Sequence, residues 1–440
     1  MKLAVERLGY RLLWWLGLPL VAAYLLYRSL RQPEYRAHWG ERFLGRGPVP
    51  VREGELIWVH AVSVGETRAA VPLIDALARA RPRARFVLTH MTPTGRAAGA
   101  TLAQSLAGRL VQRYLPYELG FAQRRFLREL KPRLGILMET ELWPNLLLTA
   151  QAEGVPVVLA NARLSAKSLA RADRLPALLR AAVATLSGVA AQSEADRQRI
   201  ATAYGGPLEV FGNLKFDLTP DPVQIAAGHA LRATAAGHPI ILLASTREGE
   251  ESLLLKNRGR TPIFLYEAGM KKKLGSDPCF CVVPRHPQRF DEVARLAQAR
   301  GWRVRRRSAG ADFAGMGDDD LFLGDSMGEM ALYYVAADVA LIGGSVLPFG
   351  AQNLIEACAV GTPGVLGPST FNFAQAARDS LAAGAAVQVA DADAALAELA
   401  AICADPQRRA RMSTAALAFA HAHRGATART VAWLERWLTR

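Results

Sequence analysis

Short apolar runs rich in β-branched residues alternate along this chain with longer segments of helical period, and this alternation constrains the fold more than any other feature. It is the pattern of βαβ units built around a parallel sheet. A polar, proline-containing stretch at 217–239 separates two such series, so we expect an α/β protein with two doubly wound domains. The predicted strands are Leu56–His60, Arg85–His90, Leu134–Glu139, Pro156–Ala160 and Gly188–Gln192, then Ile240–Ser245, Cys279–Pro284, Leu321–Gly324, Val339–Gly343 and Pro363–Leu366.

The length of 440 residues also favours two domains, because single hydrophobic cores stop growing near ~250–300 residues. We expect an N-terminal anchor at 1–31, a first domain at 32–220 and a second at 221–440. The final segment, 415–440, is predicted to be one helix that returns to the first domain. Residues 256–278 break the helical period and carry a run of lysines, which indicates a surface insertion.

The N-terminal segment has the composition of a membrane anchor. Residues 12–27 are almost wholly apolar and are flanked by basic residues. The stretch is shorter than the ~20 residues that a spanning helix needs, so it spans with difficulty, lies in the interface or serves as a signal peptide. Arg28-Ser29-Leu30-Arg31 is no small-residue cleavage site. We therefore expect an uncleaved anchor, with the basic residues that follow it on the cytoplasmic side.

A net charge of +15 and a pI near 10.1 indicate attraction to a polyanion, which is nucleic acid, an anionic membrane or a phosphorylated substrate. No helix-turn-helix, zinc-finger or RNA-binding signature is present, so a nucleic-acid partner is not expected. The chain has four cysteines, too few and too unevenly spaced for a disulfide framework. A membrane or an anionic lipid is the better interpretation of the charge.

Polar residues follow several of the predicted strands. In a doubly wound sheet, ligands bind at the carboxyl ends of the strands, which is where these residues lie. Glu66 comes after the first strand in a small-residue turn that opens a helix, so it is either a general base or an ordinary N-terminal charge cap, with about even support. Glu139 ends another strand, and Lys215 follows the last strand of the first series. An exposed surface lysine is the ordinary alternative for Lys215.

The second series ends in polar loops at Pro284-Arg285-His286-Pro287 and at Gly324 to Glu329. Its glycine-rich loop, from Gly343 to Glu356, leads into a helix whose free N–H groups and dipole suit a phosphate. A plain strand-to-helix turn is the alternative. There is neither a P-loop nor a dinucleotide fingerprint, which argues against a P-loop ATPase and against a nicotinamide enzyme.

Together and in this order, these motifs resemble the bacterial 3-deoxy-D-manno-octulosonic acid (Kdo) transferases, from Trp39-Gly40-Glu41-Arg42-Phe43 to Asn372-Phe373. The resemblance implies two Rossmann-like doubly wound domains of the GT-B type with an N-terminal membrane anchor helix. It also implies an inverting transfer of Kdo from CMP-Kdo to a lipid A precursor, lipid IVA, in lipopolysaccharide core biosynthesis at the cytoplasmic face of the inner membrane.

The resemblance also implies roles for single residues. Glu66 would be the base that deprotonates the acceptor hydroxyl, with Glu139 and Lys215 supporting the transition state. The residues implied to hold the CMP part of the donor are Pro284, Arg285, Met327, Gly328, Glu329, Asn353, Leu354, Ile355 and Glu356. No cofactor and no metal is implied, and the acidic run Asp318-Asp319-Asp320 is expected to be a solvated turn.

Two other functions remain open at this point. One is a GT-B transferase that uses a UDP-sugar in cell-envelope assembly. The other is an inactive, anchored pair of domains that only binds acidic lipid. Glu66, Glu139 and Glu356 weigh against a scaffold, because buried carboxylates are costly where they have no use.

Overall fold

The structure is a computed structural model that describes residues 2–51, 53–164, 177–255, 278–317 and 319–439. The chain divides into two compact units. Unit 1 comprises Met1–Leu218 with Arg424–Arg440, and unit 2 comprises Thr219–His423. The predicted insertion at 256–278 lies, except for its last residue, outside the described residues.

Unit 1 is built on a seven-stranded parallel sheet with the order β3-β2-β1-β4-β5-β6-β7. Helices separate the strands in sequence, so both faces of the central strands are buried and those strands read as continuous apolar runs. The strands are β1 (Leu56–His60), β2 (Arg85–His90), β3 (Leu110–Tyr114), β4 (Leu134–Met138), β5 (Val157–Ala162), β6 (Gly188–Ala191) and β7 (Leu208–Val210).

The helices of unit 1 lie before, between and after these strands. The described ones are α1 (Lys2–Ser29), α2 (Trp39–Leu44), α3 (Val64–Ala80), α4 (Pro93–Ala98), α5 (Ala100–Ser105), α6 (Gly120–Leu130), α7 (Pro144–Ala152), α8 (Ala177–Val183), α9 (Glu194–Ala201) and the C-terminal α18 (Ala426–Leu438). Helix α1 is long and apolar enough to cross a membrane, judged by length and composition.

Unit 2 repeats the architecture with a second seven-stranded parallel sheet, in the order β10-β11-β9-β8-β12-β13-β14. Its strands are β8 (Ile240–Thr246), β9 (Cys279–Pro284), β10 (Arg303–Arg306), β11 (Asp320–Leu323), β12 (Val339–Ile342), β13 (Gly364–Leu366) and β14 (Ala386–Gln388). Its described helices are α10 (Pro222–Thr234), α11 (Glu250–Leu254), α12 (Phe290–Ala299), α13 (Met330–Ala336), α14 (Leu354–Ala359), α15 (Ala374–Ala382), α16 (Ala392–Ala404) and α17 (Pro406–Ala422).

The strand order reverses between β1 and β4 in the first sheet and between β8 and β12 in the second. At such a switch point the loops leaving two adjacent strands run to opposite faces, which opens a crevice at the carboxyl ends. Glu66 follows β1 and Glu139 follows β4, so the first switch point carries both predicted catalytic carboxylates. The glycine-rich loop follows β12 and therefore lies at the second.

All the predicted strands are present, with ends displaced by a residue or two in some of them. The strands that the sequence missed are short or rich in polar residues. β3 contains Gln112 and Arg113, and β10 is Arg-Val-Arg-Arg, so neither shows the apolar run or the strict alternation that marks a strand. The missed strands are β3, β7, β10 and β14, and all four are edge strands.

The prediction of one final helix over 415–440 is wrong. The helix breaks at Gly425, which has φ +94°, and α18 starts at the next residue. The carboxylate of Asp217 accepts hydrogen bonds from the N–H groups of Gly425 (2.6 Å) and Thr427 (2.5 Å), so it caps the new helix. Helix α18 then buries Trp433 and Leu434 in the core of unit 1.

We predict that Asp217→Ala lowers the free energy of unfolding by about 2–3 kcal/mol, because two charge-assisted hydrogen bonds at the start of α18 are lost. Urea denaturation measures the change. Asp221→Ala is the matched control, since Asp221 caps α10 through a single bond to Val223 at an exposed position. Equal losses in the two variants would show that α18 does not depend on Asp217.

Candidate active site

Glu66 lies in the first turn of α3, directly after the turn that leaves β1. Its Oε2 accepts a hydrogen bond from the N–H of Val62 at 2.6 Å, and its own N–H faces Oγ of the N-cap residue Ser63 at 3.5 Å. This resembles a capping box displaced by one residue. The structure therefore contains the cap contact that the ordinary interpretation of Glu66 requires.

A carboxylate that only caps a helix would have a low pKa, yet the surroundings of Glu66 raise the pKa of its carboxyl group. Burial above all, and then the nearby carboxylates Glu141 and Glu139, raise the pKa of Glu66 to about 8. The Val62 N–H and Lys215 only partly offset this. A carboxylate with a pKa near neutrality is well suited to accept and release a proton.

Glu139 begins the loop after β4 and is 4% exposed. Its Oε1 lies 2.6 Å from Nζ of Lys215, and its Oε2 lies 3.1 Å from Nε of Arg163. Burial alone would raise the pKa of Glu139, but the two cations outweigh it and hold that pKa below its usual value. Glu139 therefore stays ionised beside Glu66, which holds its proton to higher pH.

Lys215 is positioned by a short 3-10 turn, Leu214–Asp217. Oδ1 of Asn161, at the carboxyl end of β5, accepts from the N–H of Leu214 at 3.0 Å, and Oδ1 of Asn213 accepts from the N–H of Lys215 at 3.0 Å. The side chain of Lys215 is 13% exposed. It is a largely buried partner of Glu139, so the ordinary interpretation as an exposed surface lysine does not hold.

Strained backbone marks the same edge of the sheet. Glu139 has φ +58° and Asn161 has φ +54°, in the left-handed region that non-glycine residues seldom adopt. Each such residue costs on the order of 1–3 kcal/mol and persists where the surrounding structure fixes it. The polar network around Lys215 supplies that fixation.

Glu141 is a third carboxylate at this site, and the sequence analysis did not select it. The indole Nε1 of Trp143 donates to its Oε2 at 3.0 Å, and its pKa is raised by burial and then by Glu139. Its position two residues after Glu139 was the signal that could have identified it. Glu141 contributes to keeping the pKa of Glu66 high.

In unit 2, the glycine-rich loop packs tightly against β8. A Cβ on Gly343 would lie 2.4 Å from the carbonyl oxygen of Ser245, so only glycine fits there. The buried carboxylate of Glu250 accepts from the N–H groups of Gly344 at 2.6 Å and Val346 at 3.1 Å. Glu250 therefore already uses the N–H groups of Gly344 and Val346, whereas the phosphate site predicted at the start of α14 involves other N–H groups and stays a prediction.

Arg285 follows β9 and reaches the same loop. Its N–H donates to the carbonyl of Thr246 at 2.9 Å, and its Nε donates to Oε1 of Gln352 at 3.1 Å. The structure thus brings together Arg285 and the start of the predicted donor segment at Asn353–Glu356. Within that segment, Nδ2 of Asn353 donates to Oε1 of Glu356 at 3.1 Å.

The remaining predicted donor residues differ in exposure. Leu354 and Ile355 are buried, at 1% and 2% exposure. Met327 is 57% exposed, and Gly328 beside it has φ +85°. Glu329 accepts from the hydroxyl of Ser326. Met327 to Glu329 follow β11 and Pro284 ends β9, so all the predicted donor residues lie at the carboxyl edge of the second sheet.

The acidic run at 318–320 lies partly outside the described residues. Asp320 is buried and pairs with Arg303 at 3.1 Å and Arg305 at 3.0 Å, so it is part of a structural ion-pair network and the expectation of a solvated turn is wrong for this residue. Among the described residues, no group of three or more His, Cys, Asp or Glu side chains is placed to hold a metal ion.

Two parallel α/β units with polar residues at their switch points define a GT-B type glycosyltransferase fold. Among solved structures, similar folds occur in a UDP-GlcNAc 2-epimerase from Neisseria meningitidis, with a TM-score of 0.56, 14% identity and coverage of 87% of this chain and 100% of that one. A glycosyltransferase from Rickettsia africae has a TM-score of 0.56 and 12% identity, covering 88% and 99%.

Sequence comparison gives the particular family. The family model described as 3-Deoxy-D-manno-octulosonic-acid transferase (kdotransferase) matches residues 37–218. A 3-deoxy-D-manno-octulosonic acid transferase of Bordetella pertussis is 49% identical over 396 residues, 89% of each chain. One of Haemophilus influenzae is 34% identical over 429 residues, 96% of each. The chain belongs to the 3-deoxy-D-manno-octulosonic acid transferase family.

We predict that Lys215→Met lowers the free energy of unfolding by about 3 kcal/mol, because it leaves the buried Glu139 without its shorter ion pair. The double variant Glu139→Gln/Lys215→Met should recover part of the loss, since it also removes the uncompensated charge. Urea denaturation measures both. The exposed pair Glu194–Arg197 is the control, and Arg197→Met should change little. A double variant no more stable than Lys215→Met would contradict the assignment.

Proposed function

We propose that this chain is an inverting glycosyltransferase that moves Kdo from CMP-Kdo to a lipid A precursor, lipid IVA, in lipopolysaccharide core biosynthesis. The observation that best supports this proposal is that two carboxylates at the first switch point have pKa values shifted in opposite directions. Glu66 has a pKa raised to about 8, while Lys215 and Arg163 outweigh the effect of burial on Glu139 and hold its pKa below the usual value. Membership of the family makes Kdo the sugar.

Glu66 is the proposed general base. The acceptor hydroxyl oxygen attacks the anomeric carbon of Kdo as the bond from that carbon to the phosphate oxygen of CMP breaks. The hydroxyl proton passes to Glu66, and CMP leaves with the electron pair. A single displacement inverts the anomeric carbon. Glu139 and Lys215 form a fixed dipole beside this step that needs no rearrangement as charge develops.

Arg285 is the proposed main cation for the donor phosphate, because it is half-buried at the carboxyl edge of the second sheet, beside the glycine-rich loop. Met327 and Gly328 are exposed residues at the same edge and are the proposed contacts of the nucleoside. Pro284, Glu329 and the segment Asn353–Glu356 complete the donor site in this proposal. We expect transfer to need neither a cofactor nor a metal, since CMP is already a good leaving group.

Membrane attachment at the cytoplasmic face of the inner membrane is part of the proposal. Helix α1 supports it, since it is apolar and near the N-terminus, and the chain carries a net charge of +15 that favours anionic lipid. We expect no nucleic-acid partner. A UDP-sugar donor and an inactive lipid-binding scaffold are not favoured, because the chain belongs to the Kdo transferase family.

The deciding experiment is incubation with CMP-Kdo and lipid IVA, followed by mass spectrometry of the lipid. A mass increase by whole Kdo units supports the proposal and gives the number transferred. Parallel incubation with UDP-sugars is the control. Product with a UDP-sugar but none with CMP-Kdo would overturn it.

Replacement of the base gives a sharp prediction. Glu66→Gln should lower turnover by about 10²–10⁴-fold with the Michaelis constant for CMP-Kdo unchanged. The glutamine carbonyl can still accept from the N–H of Val62, so the cap contact is retained. Glu194→Gln, which alters a first-turn carboxylate of the exposed helix α9, is the control and should keep full turnover. Near wild-type turnover in Glu66→Gln would make Glu66 a cap only.

The pH dependence supplies a second readout of the same variant. The base must be deprotonated, so wild-type activity should rise with pH through about 8, and Glu66→Gln should lose that rise. The stability of the folded state changes in the opposite direction to activity as the pH rises. The folded state keeps a proton that the unfolded state loses above pH 4.5, so the wild type loses stability between that pH and about 8. The melting temperature of Glu66→Gln should therefore improve relative to wild type over this interval.

Arg285→Ala should raise the Michaelis constant for CMP-Kdo about 10–100-fold, since a charge-assisted hydrogen bond to phosphate contributes roughly 1.5–3 kcal/mol. Initial-rate kinetics at saturating acceptor measure it. Arg378→Ala removes an exposed arginine from helix α15 of the same unit and should leave the constant unchanged. Equal constants for Arg285→Ala and wild type would place Arg285 outside the donor site.

A further inference from the structure

Helix α1 does not project from unit 1; it packs along it. Near its start, the carboxylate of Glu6 accepts from the N–H of Leu178 at 2.8 Å. At its middle, the ring of Trp14 stacks on Tyr117 with centroids 5.9 Å apart. Near its end, Leu25 is 2% exposed in a small core. Contacts at the start, middle and end therefore fix the helix to the protein surface.

The packed residues recur at helical spacing on one side of α1. Intermediate or full burial is found at Glu6, Tyr10, Trp14, Leu18, Val21 and Leu25. Steps of three and four residues keep these side chains on one stripe of the helix. The stripe extends over most of a helix of 28 residues, about 42 Å at 1.5 Å per residue.

The opposite side of α1 is apolar and exposed. Leu16 is 77% and Leu20 is 75% exposed, and Leu13, Tyr24 and Tyr27 are exposed on the same side. These residues form a stripe with the same helical spacing. We call the stripe of Leu13, Leu16, Leu20, Tyr24 and Tyr27 the apolar face of α1.

The neighbouring surface continues this face and adds positive charge. Phe121 of α6 is 43% exposed, and its ring stacks on Trp15 with centroids 5.8 Å apart. Arg124 of the same helix is 53% exposed and pairs with Glu153 at 3.4 Å, and Arg11 is exposed one turn from Trp15. An apolar stripe bordered by arginines matches the boundary between acyl chains and anionic head groups.

A helix that crosses a bilayer needs hydrocarbon or other buried protein around it over about 30 Å. To cross, α1 would have to abandon the contacts of Glu6 and Trp14 and expose the apolar residues beneath, or carry the flank of unit 1 into the hydrocarbon. Both are costly. Lying in the interface keeps every contact and buries the apolar face.

We propose that α1 lies in the plane of the membrane surface and does not cross it. Its apolar face enters one leaflet of a bilayer that contains anionic phospholipid, and both ends of the helix stay on the side of unit 1. The inference rests on the membrane attachment in the proposed function, and it sets the orientation of unit 1, with α6 and its arginines turned towards the lipid.

Cysteine labelling distinguishes the two arrangements. Cys279, Cys281, Cys358 and Cys403 are buried, so background labelling is low. Lys2→Cys and Arg31→Cys place single exposed thiols at the two ends of α1. A membrane-impermeant maleimide is applied to intact spheroplasts and to inverted membrane vesicles of the expressing cells. Detergent-opened samples give full labelling as the reference.

We expect both thiols to be unreactive in spheroplasts and reactive in inverted vesicles. Labelling of Lys2→Cys but not Arg31→Cys in spheroplasts would mean that α1 spans, which overturns the inference and leaves the proposed transfer intact. Recovery of the protein in the soluble fraction would overturn membrane attachment itself. Kdo transfer assayed in detergent reports on the reaction independently of both outcomes.

The apolar face provides a second test. The double variant Leu16→Gln/Leu20→Gln should bind vesicles of phosphatidylethanolamine and phosphatidylglycerol at least tenfold more weakly, with an unchanged melting temperature. Leu253→Gln, at an exposed leucine of unit 2, is the control and should bind as wild type. Unchanged vesicle binding by the double variant would overturn the assignment of this face to lipid.

Discussion

In a parallel sheet every strand ends at the same edge, and only the point where the strand order reverses leaves a gap between the loops that follow. This constraint governs both units. In unit 1 the reversal lies between β1 and β4 and gathers Glu66, Glu139 and, through the neighbouring β5, the contact that sets Lys215. In unit 2 it lies between β8 and β12 and gathers the glycine-rich loop and Glu250. The proposed site residues of each unit therefore lie where its strand order reverses.

Burying several carboxylates together is costly unless each one is either paired with a cation or neutralised by a proton. At the first switch point, Lys215 and Arg163 both form ion pairs with Glu139, whereas Glu66 and Glu141 have raised pKa values. Glu139 is thus held ionised while Glu66 and Glu141 keep their protons to higher pH. Acid and base roles in a site arise from such a separation of pKa values. The strained φ of Glu139 places that carboxylate where both cations reach it.

Much of this fold could be predicted from sequence, because central strands of a parallel sheet are buried on both faces and read as apolar runs. Edge strands such as β10, with three arginines, carry no such signal. The site shows the same division. Glu66, Glu139 and Lys215 were predicted as polar residues that follow strands. The hydrogen bond that Glu250 accepts from the glycine-rich loop, by contrast, joins residues almost a hundred positions apart in the sequence, and no local pattern predicts it. The break at Gly425 likewise depends on Asp217, far away in sequence.

Glu66 shows why cap and base need not be alternatives. The bond from the Val62 N–H fixes one carboxylate oxygen, and a fixed oxygen orients the other. A base whose direction is set before the substrate arrives loses less conformational freedom in the reaction. The same bond lowers the pKa of Glu66, but burial and the two neighbouring glutamates raise it by more, so orientation does not come at the expense of basicity. In the proposed role of Glu66 as a base, the helix start that makes it look like an ordinary cap is therefore what orients its carboxylate.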